Sequence, residues 1–589
     1  MKKNLQIRKI SGKESVGWLF FGIALVMLAN SIRLCFCGDI WYDELFTVGM
    51  AEHSYGELIH FTAKDVHPPL YYCIVKLILD LCKFMIPSAD SVIVIKLVSV
   101  LPYFFLLAYG LFFLRKKFGT FVMGLFLFCV LSMPQLSAYT VEMRMYSWAL
   151  FFVTAAFFHA YGIVCENGRG RHIIWRFHVR KTECFFTFCW NGHFAALAFY
   201  GLAAAYTQYF ACVAVMMVYG YLFLWFLVRR KRLCGQEKGA GRALRNLVIC
   251  AAVSVLAYLP WLFVLISQVT AVRENYWILP LTWRSLGGCV KFLMKPAFSH
   301  EWLNVLLAVV LFSVYIALPA GYGFRIWKER TECGALKGNE KSEDRAGDAG
   351  GRQSARFFYA LAGCMVLCGL TAFGFVASIL VRPIFVYRYM LPAMGCFWFC
   401  PILCLDGLLF SEYEPGEPEK LTESERQAME EKTPHRPLCL VCLFYLVIVV
   451  FAVTGIRDYR AFLGEEEYKA VLMKETRLAI SDIAKEDIIL YNFDQLQAVM
   501  GYYLEQENYL WSGTPEPLIL EIFGNKGSIE CTEQIREWLD EGRTIWFFGS
   551  FNSREDIRAA WEKDGILTEE TGSYMLERYW FNIYSVFRE

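Results

Sequence analysis

Between Gly38 and Tyr72 the chain reads GDIWYDELFTVGMAEHSYGELIHFTAKDVHPPLYY, and this stretch holds side chains that can do chemistry. Asp43 and Glu44 are adjacent carboxylates. Asp65 stands two residues before His67, which opens His67-Pro68-Pro69. A carboxylate within reach of a hydroxyl can take its proton as a general base. Acids set among Trp41, Tyr42, Phe46, Phe61 and Leu70 are unusual for a solvated loop, and the mixture predicts a folded cap with carboxylates aimed into a cavity. The plainer reading of Asp43-Glu44 is a helix start, where acids favour the first turn. The residues alone leave both open.

Two further groups lie at the ends of apolar runs. YTVEMRMYSW (139–148) carries Glu142, Arg144 and Tyr146, and VYRYMLPA (386–393) carries Tyr387 and Arg388. Read conservatively, Glu142 and Arg144 form an interfacial ion pair in an aromatic belt, and Arg388 snorkels to headgroups. Read functionally, a guanidinium fork is suited to phosphate because it makes paired, charge-assisted hydrogen bonds.

The elements that must position these residues are membrane spans. The 589 residues are 57% hydrophobic and 19% charged, with a mean hydropathy of +0.38. Soluble chains carry about a quarter charged residues. Repeated apolar runs of roughly 20 residues separated by basic clusters indicate a polytopic helical membrane protein. The net charge of +2 says nothing about nucleic acid, but no domain-wide basic stripe appears outside those clusters, so no nucleic-acid partner is expected. The cysteines fall mostly inside apolar runs (Cys129, Cys212, Cys250, Cys364), where Cys acts as a small hydrophobe. They suggest no disulfide framework, although Cys35 and Cys37 lie near the outer face.

Basic residues 1–13 read as cytoplasmic, and the first span runs from Trp18 to about Cys37. Residues 70–86 are apolar but short and contain Lys76, Asp80 and Lys83, which predicts an amphipathic helix lying on the outer surface. Further spans then fall near 92–114, 121–138, 147–164, 185–205, 211–228, 247–266, 302–324, 357–380, 390–410 and 437–455, about eleven in all. This arrangement places Arg115-Lys116-Lys117, the basic loop 169–181 and Arg229-Arg230-Lys231-Arg232 inside, as the positive-inside rule requires. Outer segments include the first loop (38–90) and 267–300. A polar, Gly-rich linker (325–356) and a charged loop (411–436) face inward. If 70–86 crossed instead, the basic clusters would face outward.

From residue 457 the composition becomes that of a soluble domain. DIILYNF and TIWFFGS read as strands, and CTEQIREWLDEG and SREDIRAAWEKDG as helices closed by glycine. We therefore expect a transmembrane domain over 1–456 and a small extracytoplasmic α/β domain over 457–589. The latter carries no phosphate loop or nucleophile motif.

The order W-x-D-E (41–44), D-x-H-P-P-L-Y-Y (65–72), E-x-R-M-Y (142–146) and R-Y (388–389) resembles GT-C-fold glycosyltransferases, in particular family 39 protein mannosyltransferases and the bacterial aminoarabinose-transferase-like enzymes grouped with them. The likeness covers about residues 1–400. It implies a sugar donor on polyprenyl phosphate, an acceptor hydroxyl on a glycan, lipid or protein, and inversion at the anomeric carbon. It further implies Asp43 as general base, Glu44 or Glu142 positioning the acceptor, and Arg388 and Arg144 at the lipid phosphate, assisted by His67. Asp65, Tyr146, Tyr387 and Gln208 fall among the substrate-binding positions. Relatives often carry His where Gln208 stands, and in some that His helps to hold a metal. Gln is a poor transition-metal ligand, so no metal ligand is assigned and a divalent cation stays an option only. A bacterial plasma membrane fits the inner basic loops. The competing class is a transporter or lipid flippase, which places ionisable residues at mid-membrane rather than at span ends.

Overall fold

The fold is described from a computed structural model covering residues 2–165, 171–179, 182–190, 192–232, 238–272, 278–335, 343–410, 438–524 and 527–589. Among these residues, nine helices are long and apolar enough to cross a membrane. Two shorter helices, Thr120–Ser132 and Gly192–Thr207, overlap the two remaining expected spans, so each span expected from the sequence falls at least in part on a helix. The protein is a polytopic helical membrane protein.

The helices divide into inner and outer members. The apolar windows of Tyr146–Cys165 and Tyr387–Leu409 are 89% and 94% buried, whereas that of Ala240–Val269 is only 11% buried. The first two are therefore the axis of the bundle, and the last presents its side chains outward, where lipid would lie. Thr120–Ser132 is buried on every side and packs on the N-terminal helix through glycine. A Cβ on Gly124 would run into the carbonyl of Gly17, and a Cβ on Gly17 into the backbone at Thr120. Small residues let the two backbones meet, a common solution where lipid supplies no hydrophobic drive between helices.

The first loop folds into three helices, Tyr42–Glu52, Tyr55–Lys64 and Leu70–Met85. Ser54 starts the second with a capping box, accepting from the Glu57 amide at 3.4 Å while Glu57 accepts from the Ser54 amide at 3.0 Å. Pro68-Pro69 starts the third, which turns Tyr71, Tyr72, Val75 and Leu79 inward and leaves Leu77, Leu81 and Phe84 exposed. That apolar outer stripe beside Lys83 is the pattern of a helix at a lipid surface.

Several boundaries differ from expectation. The third span ends at Ser132, and 133–145 is irregular chain with a short 3-10 turn at Ala138–Thr140. Strands Arg171–Val179 and Thr182–Trp190 form a hairpin, so the fifth span starts at Gly192 rather than 185. Helices Glu301–Ala335 and Glu343–Leu380 extend well into the polar linker 325–356, and helix Lys238–Val272 and helix Arg284–Met294 into the loop 267–300. The loop 411–436 and residues 169–170, 180–181, 273–277 and 336–342 lie outside the described residues. Cys35 and Cys37 are both free thiols.

The last span continues without a break from Leu438 to Ile480, so the division at 456/457 falls inside one helix. Composition changes there because the helix leaves the apolar layer. Beyond it lies a six-stranded sheet in the order Gly527–Ile529, Glu507–Trp511, Ile488–Tyr491, Ile545–Gly549, Tyr579–Arg588, Ile566–Leu576. The first four strands are parallel and the last two antiparallel.

Replacing Gly124 by valine should destabilise the bundle by about 2 kcal/mol or more, because the added carbons meet backbone that cannot rotate away. Thermal unfolding in detergent measures this. A wild-type midpoint would show that the two helices are not in backbone contact.

Candidate functional site

The singled-out residues converge where the two innermost helices begin. Asp43 lies in the first turn of helix Tyr42–Glu52, so the helix-start reading of Asp43-Glu44 holds at the backbone level. The side chains then diverge. Arg388 Nη1 donates to Asp43 Oδ2 at 3.0 Å, and Arg144 Nη1 donates to the Asp43 carbonyl at 2.7 Å. Arg388 neither snorkels outward nor stands alone, and it lies 5.9 Å from the ring centre of Tyr146. Tyr387 is one residue from it, half-buried in the same 3-10 turn, with its ring 6.3 Å from Phe292.

Glu44 points the other way. Its Oε1 accepts from the Met143 amide at 2.7 Å and its Oε2 from the Trp41 amide at 3.3 Å, while Thr47 Oγ1 donates to the Met143 carbonyl at 2.8 Å. These bonds fasten the first helix to the loop that carries Glu142 and Arg144. The side chains of Glu142 and Arg144 are not paired with each other; the link between the two residues is the Arg144 amide donating to the Glu142 carbonyl at 2.7 Å.

Asp65 Oδ2 lies 3.0 Å from His67 Nδ1, and His67 Nε2 lies 3.5 Å from Arg144 Nη2. The backbone here is held by Gln268, whose Nε2 donates to the carbonyl of Thr62 at 2.8 Å and to that of Asp65. A continuous polar line thus runs Asp65, His67, Arg144, Asp43, Arg388. Of these residues His67 borders a cavity of about 810 Å³ with almost wholly apolar walls. His67, Gln208, Gln268, Arg382 and Tyr389 are among its polar lining, and Tyr389 stacks on Phe210 at 4.6 Å between ring centres. Gln208 sits at the break between helices Gly192–Thr207 and Tyr209–Arg232. Its side-chain oxygen and nitrogen are buried and make no hydrogen bond within the protein. The same holds for Glu142 Oε1, Tyr146 Oη and Trp41 Nε1.

Burial pushes the Glu142 carboxyl up to about 7, opposed by the charges of Arg578, Arg388 and Arg144 and assisted by Asp43. Burial likewise lifts Glu44 to about 7, with Lys96 pulling it down and Glu142 pushing it up. For Asp65 burial also favours the neutral form, but His67 and then Arg144 outweigh it and hold the carboxyl below its ordinary value. The donor set does not fit a divalent cation. Among the described residues no three His, Cys, Asp or Glu side chains converge, and guanidinium groups already sit against Asp43 and His67.

One residue of this site had no signal in the sequence. Arg578, at the turn between strands Ile566–Leu576 and Tyr579–Arg588, lays its guanidinium 3.7 Å from the ring centre of Trp41.

Among solved structures the chain is similar to ArnT from Cupriavidus metallidurans in the apo state, with 13% identity, 97% of this chain and 98% of that chain covered, and a TM-score of 0.47. The same protein bound to undecaprenyl phosphate matches at 14% identity, 97% and 98% coverage and a TM-score of 0.47. The archaeal oligosaccharyltransferase AglB from Archaeoglobus fulgidus, in complex with an inhibitory peptide and a dolichol-phosphate, matches at 10% identity, 90% and 69% coverage and a TM-score of 0.38. No family model and no curated protein matches the sequence.

The raised Glu142 value gives a stability signature with a definite sign. The unfolded chain ionises at the ordinary carboxylate value, so the folded state is disfavoured progressively as pH climbs from there to about 7. Relative to Glu142→Gln, the wild type should therefore lose up to about 3 kcal/mol between about pH 4.5 and pH 8. Melting curves of the two proteins across that range test this, and parallel curves would exclude a buried, titrating Glu142.

Proposed function

We propose that the protein is a membrane glycosyltransferase of the GT-C type, moving a sugar from a polyprenyl-phosphate donor to an acceptor hydroxyl. One observation carries the reading. An apolar cavity of about 810 Å³ is bordered by His67, and behind His67 stands Arg144, 3.5 Å away, which shares Asp43 with Arg388. A molecule that fits both parts has an oily chain and an anionic head. Arg144 precedes helix Tyr146–Cys165 and Arg388 precedes helix Leu391–Phe410, so two helix N-termini add their partial positive charge at the same place.

In this mechanism the lipid chain lies in the cavity and its phosphate draws Arg388 off Asp43. The freed Asp43 takes the proton of the acceptor hydroxyl. The hydroxyl oxygen attacks the anomeric carbon from the face opposite the phosphate, and the anomeric C–O bond breaks with its electron pair going to the phosphate. The configuration inverts. Arg144 and Arg388 stabilise the charge that develops on the leaving phosphate. His67, braced by Asp65, lines the same mouth. Glu142 Oε1, Tyr146 Oη and the Gln208 amide offer unpaired donors and acceptors to a hydroxylated sugar or acceptor. We assign Glu44 to positioning, since both of its oxygens already accept backbone amides. The reaction side is the outer face of a bacterial plasma membrane, where lipid-linked sugars need no nucleotide.

The test uses purified protein with a panel of polyprenyl-phosphate sugars and a crude envelope extract as acceptor, following free polyprenyl phosphate by mass spectrometry. Asp43→Asn should lower turnover by about 100-fold or more, and wild-type rates would remove Asp43 as the base. Arg388→Gln should raise the donor KM by about tenfold. An unchanged KM would take Arg388 away from the phosphate. No release from any donor, with or without extract, would abandon the enzyme in favour of a transporter.

A further inference from the structure

The four residues before Asp43 are each held by chain beyond residue 456. Arg477 forms an ion pair with Asp39. Tyr503 Oη accepts the Ile40 amide at 3.1 Å, Arg578 stacks on Trp41, and Tyr579 Oη accepts the Tyr42 amide at 3.3 Å. The chemistry of these contacts is specific. Tyr42 is the first residue of its helix, so its N–H has no partner inside that helix. The hydroxyl of Tyr579 supplies one, which makes the sheet domain the N-terminal cap of the helix that carries Asp43. Tyr579 is itself fixed, donating to Gln495 Oε1 at 3.2 Å. Arg578 is placed by the same turn, in which Glu577 takes a left-handed backbone (φ 49°) that aims the next residue at Trp41. A guanidinium over the face of Trp is attracted by the ring and is held flat against it. So held, it fixes Trp41, the N-cap residue of the helix that carries Asp43.

We propose that the C-terminal domain completes the reaction site: Tyr503 and Tyr579 clamp residues 39–42 and so set the position of Asp43, and Arg578 is a positioning residue for Trp41, the N-cap of the helix that carries Asp43. The second part rests on the site reading given above, whereas the clamp stands without it.

Hydrogen exchange on the full-length protein in detergent reads the clamp directly, because the two bonds protect two known amides. In Tyr579→Phe and Tyr503→Phe, each lacking only a hydroxyl, peptides covering residues 38–45 should exchange about five- to tenfold faster. Peptides from strands Ile488–Tyr491 and Ile545–Gly549 should be unchanged. Wild-type exchange at 38–45 in both variants would overturn the clamp. Because this readout needs no sugar transfer, it separates failure of the clamp from failure of the transferase reading. For Arg578, the Ala variant should lower kcat by about tenfold with the donor KM within about twofold, and Arg578→Lys should restore most of the loss. An Ala variant with wild-type kcat, or a Lys variant no better than Ala, would overturn the positioning role.

Discussion

The structure depends on the answer that Asp43 gives to two arginines. Its carboxylate meets Arg388, 345 residues further on, and its carbonyl meets Arg144, 101 residues further on. Charges at the edge of an apolar layer persist only when paired, since an isolated one is costly to desolvate. Removing the Asp43 carboxylate would leave the Arg388 charge without its partner, a larger penalty than the pair's own attraction suggests. Asp43 therefore ties the first loop to the start of helix Leu391–Phe410 through its carboxylate and to the 133–145 segment through its carbonyl. Glu44 adds a second tie between the first loop and the 133–145 segment by collecting backbone amides rather than cations.

Much of this arrangement could be read before any coordinates. The residue types at Asp43, Glu142, Arg144 and Arg388 stood at the ends of apolar runs, and the apolar runs themselves are helices. Asp43 and Glu44 show where such reading stops. The adjacent pair suits a helix start and a cavity equally, and the fold uses both meanings, sending Asp43 to the arginines and Glu44 to the Trp41 and Met143 amides. Adjacent residues on a helix point about 100° apart, so one of the two had to turn away. The sequence pattern could not say which.

Arg578 was not legible for a different reason. It sits in a turn between two strands of ordinary alternation, and nothing within several residues of it marks a site. Its meaning comes only from Trp41, on the far side of the chain. Helix ends were misplaced on similar grounds: hydropathy falls gradually, whereas Ser132 ends its helix because irregular chain must carry Glu142 and Arg144 back towards Asp43.

The unbroken helix Leu438–Ile480 explains how so distant a residue arrives reliably. Near its middle, Tyr459 Oη donates to the Met27 carbonyl at 2.6 Å and fixes the helix against the first span. Near its outer end, Thr476 Oγ1 donates to the Met575 carbonyl at 2.7 Å, three residues from Arg578, while Arg477 grips Asp39. A helix is stiff over this length, so anchoring its middle to the first span and its C-terminal end to the strand pair places Arg578 and Tyr579 over the loop that follows that span. Had the helix broken at residue 457, where the composition changes, the sheet would hang on a linker, and its contacts with residues 39–42 would each have to be won against the freedom of that linker. The continuous helix removes that cost, and it makes the membrane bundle and the sheet two parts of one site.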